Sequence, residues 1–133
     1  MANPNNLAKS HVAAFVFTGG SSSRFGSNKA LFEIDGMPMI EWVAVHIGAA
    51  ADCDPIFVGA RDNAKFSHSG ALIGKREGSG PLGALCDALD SVTAEFVLVA
   101  PCDTPYFSAE SFARLLAQMD HFAAVVAVDS KKQ

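Results

Sequence analysis

The chain has 133 residues, of which 50% are hydrophobic and 18% are charged. This is the length of one ordinary domain, and the apolar content is high enough to build a core, which excludes a mostly disordered chain. The formal net charge is −4 and the ten basic residues are scattered along the chain, so the composition argues against a nucleic-acid partner.

The cysteines predict a reducing compartment, and the apolar runs predict that the chain has no membrane partner. Cys53, Cys86 and Cys102 are odd in number and show no C-x-x-C spacing, which is typical of reduced thiols, so we expect a cytoplasmic protein. No apolar run reaches membrane-spanning length and no targeting signal is evident, so we expect no membrane partner. We expect a flexible lead-in over the polar, Asn-rich residues 1–10 and a single α/β domain over residues 11–133.

Continuous apolar runs alternate with segments of helical character. Such runs predict strands that are buried on both faces, and their alternation with helices predicts a mostly parallel sheet covered on both sides. Ligands of such sheets bind beyond the carboxyl ends of the strands. The predicted strands are residues 12–18, 55–59, 71–74, 95–100 and 123–128, and the predicted helices are residues 38–51, 80–89 and 108–119, with a shorter one over residues 62–66.

Local signals mark the ends of the predicted helices. Ser108, with Ser111 behind it and Glu110 in the first turn, predicts the N-cap of the third helix. Pro38 suits the first turn of the first helix. Helical spacing places Trp42, Phe112 and Leu116 in the core, and His46 on the same apolar helix as Trp42 is expected to have a packing role.

A glycine-rich segment that carries two cations follows the first predicted strand. Gly19 and Gly20 can take positive φ and bring backbone N–H groups close to a ligand, while Arg24 and Lys29 add positive charge. The spacing matches neither the G-x-x-x-x-G-K-[ST] phosphate loop nor the G-x-G-x-x-G dinucleotide fingerprint. The segment therefore predicts a polyanionic ligand, held by a loop that is neither of these two types.

Two further segments follow in order, and together the three identify a family. The sequence resembles the molybdenum cofactor guanylyltransferases, a branch of the nucleotidyltransferases. The resemblance rests on Gly19-Gly20, Ser22-Ser23-Arg24, Phe25, Gly26 and Asn28-Lys29-Ala30-Leu31, on Gly80-Pro81-Leu82-Gly83-Ala84-Leu85, and on residues 97–106, which contain Pro101-Cys102-Asp103-Thr104-Pro105.

The resemblance implies a three-layer, Rossmann-like nucleotidyltransferase fold with a mostly parallel central sheet. It covers the N-terminal, nucleotide-binding two-thirds of the family, whose members carry a further segment that has no match here, so we expect a C-terminally shortened fold. The strand over residues 123–128 should then leave an unpaired edge, and such edges promote self-association.

The resemblance also implies roles for single residues at the phosphates. Asp103 occupies the position that binds Mg²⁺ in the family, and one carboxylate is enough because Mg²⁺ also takes phosphate oxygens and waters. The alternative is an Asp that stabilises its own turn before Thr104. Lys29, which matches the family's phosphate-binding lysine, and Arg24 would contact the β- and γ-phosphates of a nucleotide, and the alternative is a pair of solvated loop charges.

The nucleoside would lie between the end of the first strand, at Thr18, and the turn at Gly80 and Pro81. Glu77 lies near a place where the family often has an acidic residue, and its carboxylate would accept hydrogen bonds from N1 and the exocyclic amine of guanine; the alternative is a solvated side chain. Thr18 and Phe25 replace the family's usual Ala and Met. Asn28 replaces an Asp beside the lysine, which puts catalytic efficiency in doubt.

The implied reaction is Mg²⁺-dependent transfer of GMP from GTP to a phosphorylated acceptor, molybdopterin, with release of pyrophosphate. The acceptor phosphate is itself the nucleophile, which agrees with the absence of an evident protein nucleophile. A cytidylyl or sugar-phosphate nucleotidyltransferase, and a nucleotide-binding fragment without turnover, remain as alternatives.

Overall fold

A central parallel sheet organises the computed structural model, which describes residues 11–18, 31–58, 71–72 and 80–130. The described strands pair in two sheets, one of four strands and one of two. In chain order the elements are β1 (Val12–Phe17), β2 (Glu33–Ile34), β3 (Met37–Pro38), α1 (Met39–Ala51), β4 (Ile56–Val58), β5 (Ala71–Leu72), α2 (Gly80–Ser91), β6 (Phe96–Pro101) and α3 (Ala109–Leu116).

β1 lies inside the four-stranded sheet, whose order is β5-β4-β1-β6 and whose paired strands are all parallel. All six residues of β1 pair with β6, from Val12 beside Phe96 to Phe17 beside Pro101. On the other side Phe15 is paired with Ile56 of β4. The predicted parallel sheet is confirmed, and its carboxyl edge carries the chain segments that follow β1 and β6.

The two faces of β1 build two separate parts of the core. Val12, Ala14 and Val16 face α1 and α3, in a cluster that includes Ile47 and Phe112. The alternate residue Phe15 faces the other way and packs with Val58 and with Ala88 of α2. The arrangement is the three-layer α/β fold that the sequence predicts, since an apolar strand in the middle of a sheet can bury both of its faces.

α1 ends in a turn that requires glycine one turn earlier. Asp52 takes the left-handed conformation (φ 53°) and closes the helix, and Cys53 N–H donates to the Gly48 carbonyl at 3.3 Å. A Cβ at Gly48 would lie 3.0 Å from the Cys53 carbonyl oxygen and 3.2 Å from Cδ of Pro55. A side chain at this position would therefore push the connection to β4 away from the helix.

The helix starts follow the local signals with one small difference. Ser108 is the N-cap of α3, where its hydroxyl accepts a hydrogen bond from the Ser111 N–H at 3.1 Å, and Glu110 lies in the first turn, as predicted. Phe112 is buried as predicted. Pro38 lies one position before the expected one, because it ends β3 in an extended conformation and α1 begins at Met39.

The sequence reasoning did not predict the antiparallel hairpin formed by β2 and β3. Asp35 and Gly36 occupy its turn with φ of 50° and 78°, the mirror-image turn that Asp-Gly favours and that would have been the signal. Trp42 was expected in the core, but it is half-buried and its indole N–H donates to the Ile34 carbonyl at 2.9 Å. It therefore connects the hairpin to α1.

The predicted strand over residues 123–128 is wrong. The structure assigns no strand there, and Val126 and Val128 are 77% and 86% exposed. Strand propensity alone does not form a strand, because the backbone also needs a partner to bond with. Within the described residues β6 pairs only with β1, so this run does not pair with the outer side of β6. The predicted helix over residues 62–66 lies outside the described residues.

None of the three cysteines forms a disulfide, and each is half-buried. Burial is the largest cause that raises the pKa of the Cys53 thiol; a hydrogen bond with the backbone of Ala14 lowers it by less, and the carboxylates of Asp54 and Asp52 raise it further. A raised pKa keeps the thiol protonated at neutral pH, and a protonated thiol is a poor nucleophile. Cys53 is therefore a packing residue.

We expect Ile47→Ala to destabilise the fold strongly, because Ile47 is fully buried between α1 and the sheet. Removing such a side chain costs about 2 to 5 kcal/mol of unfolding free energy, measured by urea denaturation. The matched control is Val45→Ala on the exposed side of α1, which should change the same quantity by less than about 0.5 kcal/mol. Equal losses in the two variants would contradict this assignment of the core.

Candidate functional site

β1 and β6 are adjacent parallel strands that end at the carboxyl edge of the sheet. After β1 the chain continues through β4 and β5 on one side, whereas β6 adds to the other side. In open α/β sheets a ligand binds where the connections diverge in this way, because the loops leave a gap between them. The pairing continues past the strands, since Cys102 N–H donates to the Phe17 carbonyl at 3.0 Å. Thr18 and Asp103 thus follow two adjacent strands at one edge.

Thr18 ties this edge to β4. Its backbone N–H and its hydroxyl both donate to the Val58 carbonyl oxygen at 2.9 Å. The hydroxyl proton of Thr18, a residue predicted to lie beside the nucleoside, is therefore already donated to the Val58 carbonyl. The lone pairs of the hydroxyl oxygen are still able to accept a hydrogen bond.

Asp103 lies in a turn whose internal hydrogen bonds come from its neighbours. The Thr104 hydroxyl donates to the Pro101 carbonyl at 3.0 Å, and Phe107 N–H donates to the Thr104 carbonyl at 3.2 Å. Asp103 is exposed, and no hydrogen bond or ion pair to it occurs among the residues that the structure describes. The turn-stabilising role that was the alternative for Asp103 is thus performed by Thr104.

The turn is anchored to the helix that follows it. The ring of Phe107 packs edge-on against buried Phe112 of α3, with 4.6 Å between the ring centroids. The Ser108 cap holds the first turn of the same helix. Sequence reasoning did not assign Phe107, although an aromatic residue just before a helix and another at its fourth position is the pattern of a hydrophobic staple.

The N-terminus of α2 belongs to the same edge. α2 begins at Gly80, whose φ is +68° and which has no heavy atom within 4 Å of where a Cβ would lie. Pro81 occupies the first turn, where a missing N–H costs nothing. Both residues are exposed, as a site that admits a ligand close to the backbone requires.

The remaining predicted site residues lie outside the described residues: Gly19, Gly20, Arg24, Lys29 and Glu77. Of the predicted set, the structure thus describes Thr18, Gly80, Pro81 and Asp103. An open cavity at the opposite edge of the sheet is lined by His11, Ser91 and Thr93, and none of the predicted site residues contributes to it. We assign the candidate site to the carboxyl edge, because that edge carries the predicted residues and the diverging connections.

Metal binding at this edge would depend on Asp103. Among the described residues no group of three His, Cys, Asp or Glu side chains could hold a metal ion. A single exposed carboxylate suits Mg²⁺ when phosphate oxygens and waters complete the coordination.

In the described part of the chain no helix is both long and apolar enough to span a membrane.

Comparison with known proteins agrees with this geometry. A family profile for the MobA-like NTP transferase domain matches residues 14–133, which is most of the chain. The chain belongs to this family. The fold is accordingly a nucleotidyltransferase fold, and the family resemblance that the sequence predicts is confirmed.

Individual relatives of this MobA-like chain cover it well but are longer. A molybdenum cofactor guanylyltransferase from Shewanella halifaxensis is 32% identical over 124 residues, which are 90% of this chain and 61% of that protein. A hypothetical transferase from Thermus thermophilus is 32% identical in its solved structure, with a TM-score of 0.64 over 81% of this chain and 46% of the other. The bifunctional IspDF from Campylobacter jejuni is 18% identical, with a TM-score of 0.69 over 84% of this chain and 31% of the other, a likeness that shows the fold alone.

We expect Thr18→Val to destabilise the MobA-like domain by about 1 kcal/mol, because the Val58 carbonyl loses one of its two donors but keeps the backbone N–H. Thr18→Ser keeps the hydroxyl and should lose less stability. The unfolding free energies of the two variants, measured in urea, provide the comparison. A Thr18→Ser variant less stable than Thr18→Val would show that the hydroxyl does not contribute.

Proposed function

We propose that this chain binds GTP and Mg²⁺ and transfers GMP to a phosphorylated acceptor, molybdopterin, releasing pyrophosphate. The observation that supports it most is the position of Asp103: an exposed carboxylate, free of hydrogen bonds within the described residues, beside the end of β1 at the carboxyl edge. The name of the Shewanella relative supports the choice of GTP and of the acceptor.

Asp103 would hold the metal ion. Its turn is fixed by Thr104 and Phe107, so the carboxylate oxygens are presented to solvent from a rigid support. When bound, Mg²⁺ would supply positive charge that offsets the negative charge of the phosphates. Asp103 acts in this proposal as a ligand and not as a general base.

Arg24 and Lys29 would bind the β- and γ-phosphates and hold the leaving pyrophosphate. The segment that contains them begins directly after Thr18, so it starts at the edge where Asp103 lies. Two fixed cations there stabilise the charge that develops on the leaving group. The backbone N–H groups of Gly19 and Gly20 would add donors to the same phosphates.

The nucleoside would lie toward the N-terminus of α2. Gly80 has open space around its Cα, so a ligand can approach the backbone there, and Pro81 restricts the turn. Glu77, three residues earlier in the sequence, would accept hydrogen bonds from the N–H groups of guanine. That role would make it the residue that selects GTP over CTP.

The transfer step needs no protein nucleophile. An oxygen of the acceptor phosphate attacks the α-phosphorus of GTP and forms the new P–O bond, while the bond from the α-phosphorus to the bridging oxygen of pyrophosphate breaks. The electron pair leaves with pyrophosphate, toward Lys29 and Arg24. The protein contributes positioning and charge stabilisation, which are the main sources of rate enhancement in such transfers.

The cellular compartment and the binding partners are also proposals. Three free cysteines and a net charge of −4 favour a reducing cytoplasm and a small anionic ligand, with no nucleic acid partner. The chain spans 61% of the length of the Shewanella relative, so the acceptor and turnover are inferred from proteins that are longer than this chain. A cytidylyl or sugar-phosphate transferase is distinguished from the proposal by the nucleotide that binds.

The first prediction concerns nucleotide binding. Calorimetric titration with Mg²⁺ should show that GTP binds and that CTP and ATP bind at least about ten-fold more weakly, because guanine offers a carboxylate both N1–H and its exocyclic amine, whereas cytosine and adenine offer the exocyclic amine alone. Asp103→Ala should raise the dissociation constant for Mg·GTP at least about ten-fold, because a charged metal ligand is lost.

The matched control for that titration is Asp120→Ala, which removes an exposed carboxylate beyond α3. It should leave GTP affinity unchanged. Preferential binding of CTP would replace the guanylyl proposal with a cytidylyl one. GTP binding that is equally strong in Asp103→Ala and in wild type would remove Asp103 from the site.

A second prediction concerns self-association, which we propose to occur beside β6. In the described part of the chain this strand has no partner on its outer side, and Phe122, Val126 and Val128 expose apolar side chains in a run without secondary structure. Light scattering at high concentration should therefore show species larger than a monomer, and Val126→Lys should shift them toward the monomer. A strictly monomeric wild-type chain would contradict this proposal.

A further inference from the structure

The turn between β6 and α3 exposes one aromatic side chain. Phe107 N–H donates to the Thr104 carbonyl at 3.2 Å, so residues 104–107 form a β-turn with Pro105 and Tyr106 at its two central positions. Pro105 is buried, whereas Tyr106 is 84% exposed. Among the residues that the structure describes, none makes a hydrogen bond or a ring contact with the Tyr106 side chain. The turn is thus closed without the help of this ring.

The backbone beneath Tyr106 is held on both sides. On one side the Thr104 hydroxyl donates to the Pro101 carbonyl at 3.0 Å. On the other side Phe107 packs against the buried ring of Phe112, with 4.6 Å between the ring centroids. The exposed ring therefore extends from an ordered backbone, and a ligand that binds it does not have to order the turn first.

Tyr106 is also close to the proposed metal ligand. It follows Asp103 by three residues, and three residues span at most about 11 Å when fully extended. The chain here is folded by two successive turns, so the two residues are nearer than that limit. A substrate whose phosphate lies at Asp103 can therefore place a neighbouring ring system against Tyr106.

Tyr106 and the proposed position of the nucleoside lie on opposite sides of the sheet. α3, which follows Tyr106, packs with α1 on the face of β1 that carries Ala14. α2 packs on the other face, where Ala88 contacts Phe15. Because the nucleoside is proposed to lie toward the N-terminus of α2, the α3 side of Asp103 is left for the second substrate.

Other exposed apolar side chains lie at the same edge. The Phe32 carbonyl accepts a hydrogen bond from the Met39 N–H at the start of α1, and the Phe32 side chain is 67% exposed. Leu82 is in the first turn of α2 and is 70% exposed. α1 and α2 both lead to a further parallel strand, so they begin beside the carboxyl edge. Apolar side chains around a few polar groups are typical of a ligand site.

We propose that Tyr106 binds the acceptor by stacking on its planar heteroaromatic ring, while the phosphate of the acceptor lies toward Asp103. This rests on the proposed function, whose acceptor, molybdopterin, contains a pterin ring. Aromatic side chains stack on flat ring systems in an offset arrangement, and tyrosine offers a large rigid face with few rotatable bonds. Tyr106 thus contributes to the affinity for the acceptor and not to the affinity for GTP.

The test measures the binding of hydroxymethylpterin phosphate, a fluorescent pterin that carries one phosphate. Its dissociation constant is determined from the quenching of pterin fluorescence, with Mg²⁺ and a GTP analogue whose methylene bridge between the α- and β-phosphorus atoms prevents transfer. Tyr106→Ala should raise this dissociation constant at least about five-fold, the lower end of the range for removing an aromatic platform from beneath a base. Tyr106→Phe keeps the ring and should bind the pterin nearly as wild type does.

Three controls isolate the ring of Tyr106. The dissociation constant of the GTP analogue, measured by calorimetry, should be the same in wild type and in both variants. The urea midpoints should also agree, because a ring that is so exposed contributes little to stability. Leu89→Ala shortens a half-exposed apolar side chain near the other end of α2 and should leave the affinity for the pterin unchanged.

The outcomes separate this inference from the proposed function. If wild type binds the GTP analogue but binds no pterin, or if Tyr106→Ala binds the pterin as wild type does, the stacking role is overturned and the proposed function stands. A Tyr106→Ala variant with weakened binding of the GTP analogue would place Tyr106 at the nucleotide and overturn its assignment to the acceptor. If wild type does not bind the GTP analogue, the proposed function fails, whereas pterin binding that is lost in Tyr106→Ala would still support the stacking role.

Discussion

The pairing of β1 on both of its sides is the constraint on which the described structure depends. β1 is the strand that joins β6 to β4, and its alternate residues fill the two core clusters. A strand in that position must be apolar on both faces and must offer its full backbone to two neighbours. Val12, Ala14 and Phe15 meet this demand, and the same pairing places the ends of β1 and β6 side by side at the carboxyl edge.

The short turns at that edge divide structural and chemical roles between neighbouring residues. Thr104 and Phe107 make the bonds that close the turn after β6, and Phe112 anchors it, so Asp103 is left exposed. Thr18 donates to β4 with both its backbone and its side chain, which holds the end of β1 against that strand. A carboxylate can serve a ligand with a defined geometry only if other residues stabilise the backbone beneath it.

Membership of the MobA-like NTP transferase domain family fits this division. The fold is shared with proteins as distant as 18% identity, so the fold alone does not determine a particular chemistry. A scaffold of this kind supports many reactions, and function depends on the groups at its edge.

What the sequence determined by itself is what depends on near neighbours in the chain. The continuous apolar run of β1 and the cap at Ser108 are local patterns that predict elements of an α/β fold, and the three ordered segments within residues 19–31, 80–85 and 97–106 predict the family. Asp-Gly in the turn of the hairpin is an equally local pattern, although the hairpin was not among the predicted elements. The strand predicted over residues 123–128 failed because a strand also needs a partner, which propensity cannot supply.

Only the tertiary structure decided that Thr18 and Asp103 follow adjacent strands, that Thr104 and not Asp103 closes the turn, and that Trp42 bonds the hairpin instead of filling the core. These facts depend on strand order and on contacts between residues distant in the chain, which no local pattern encodes.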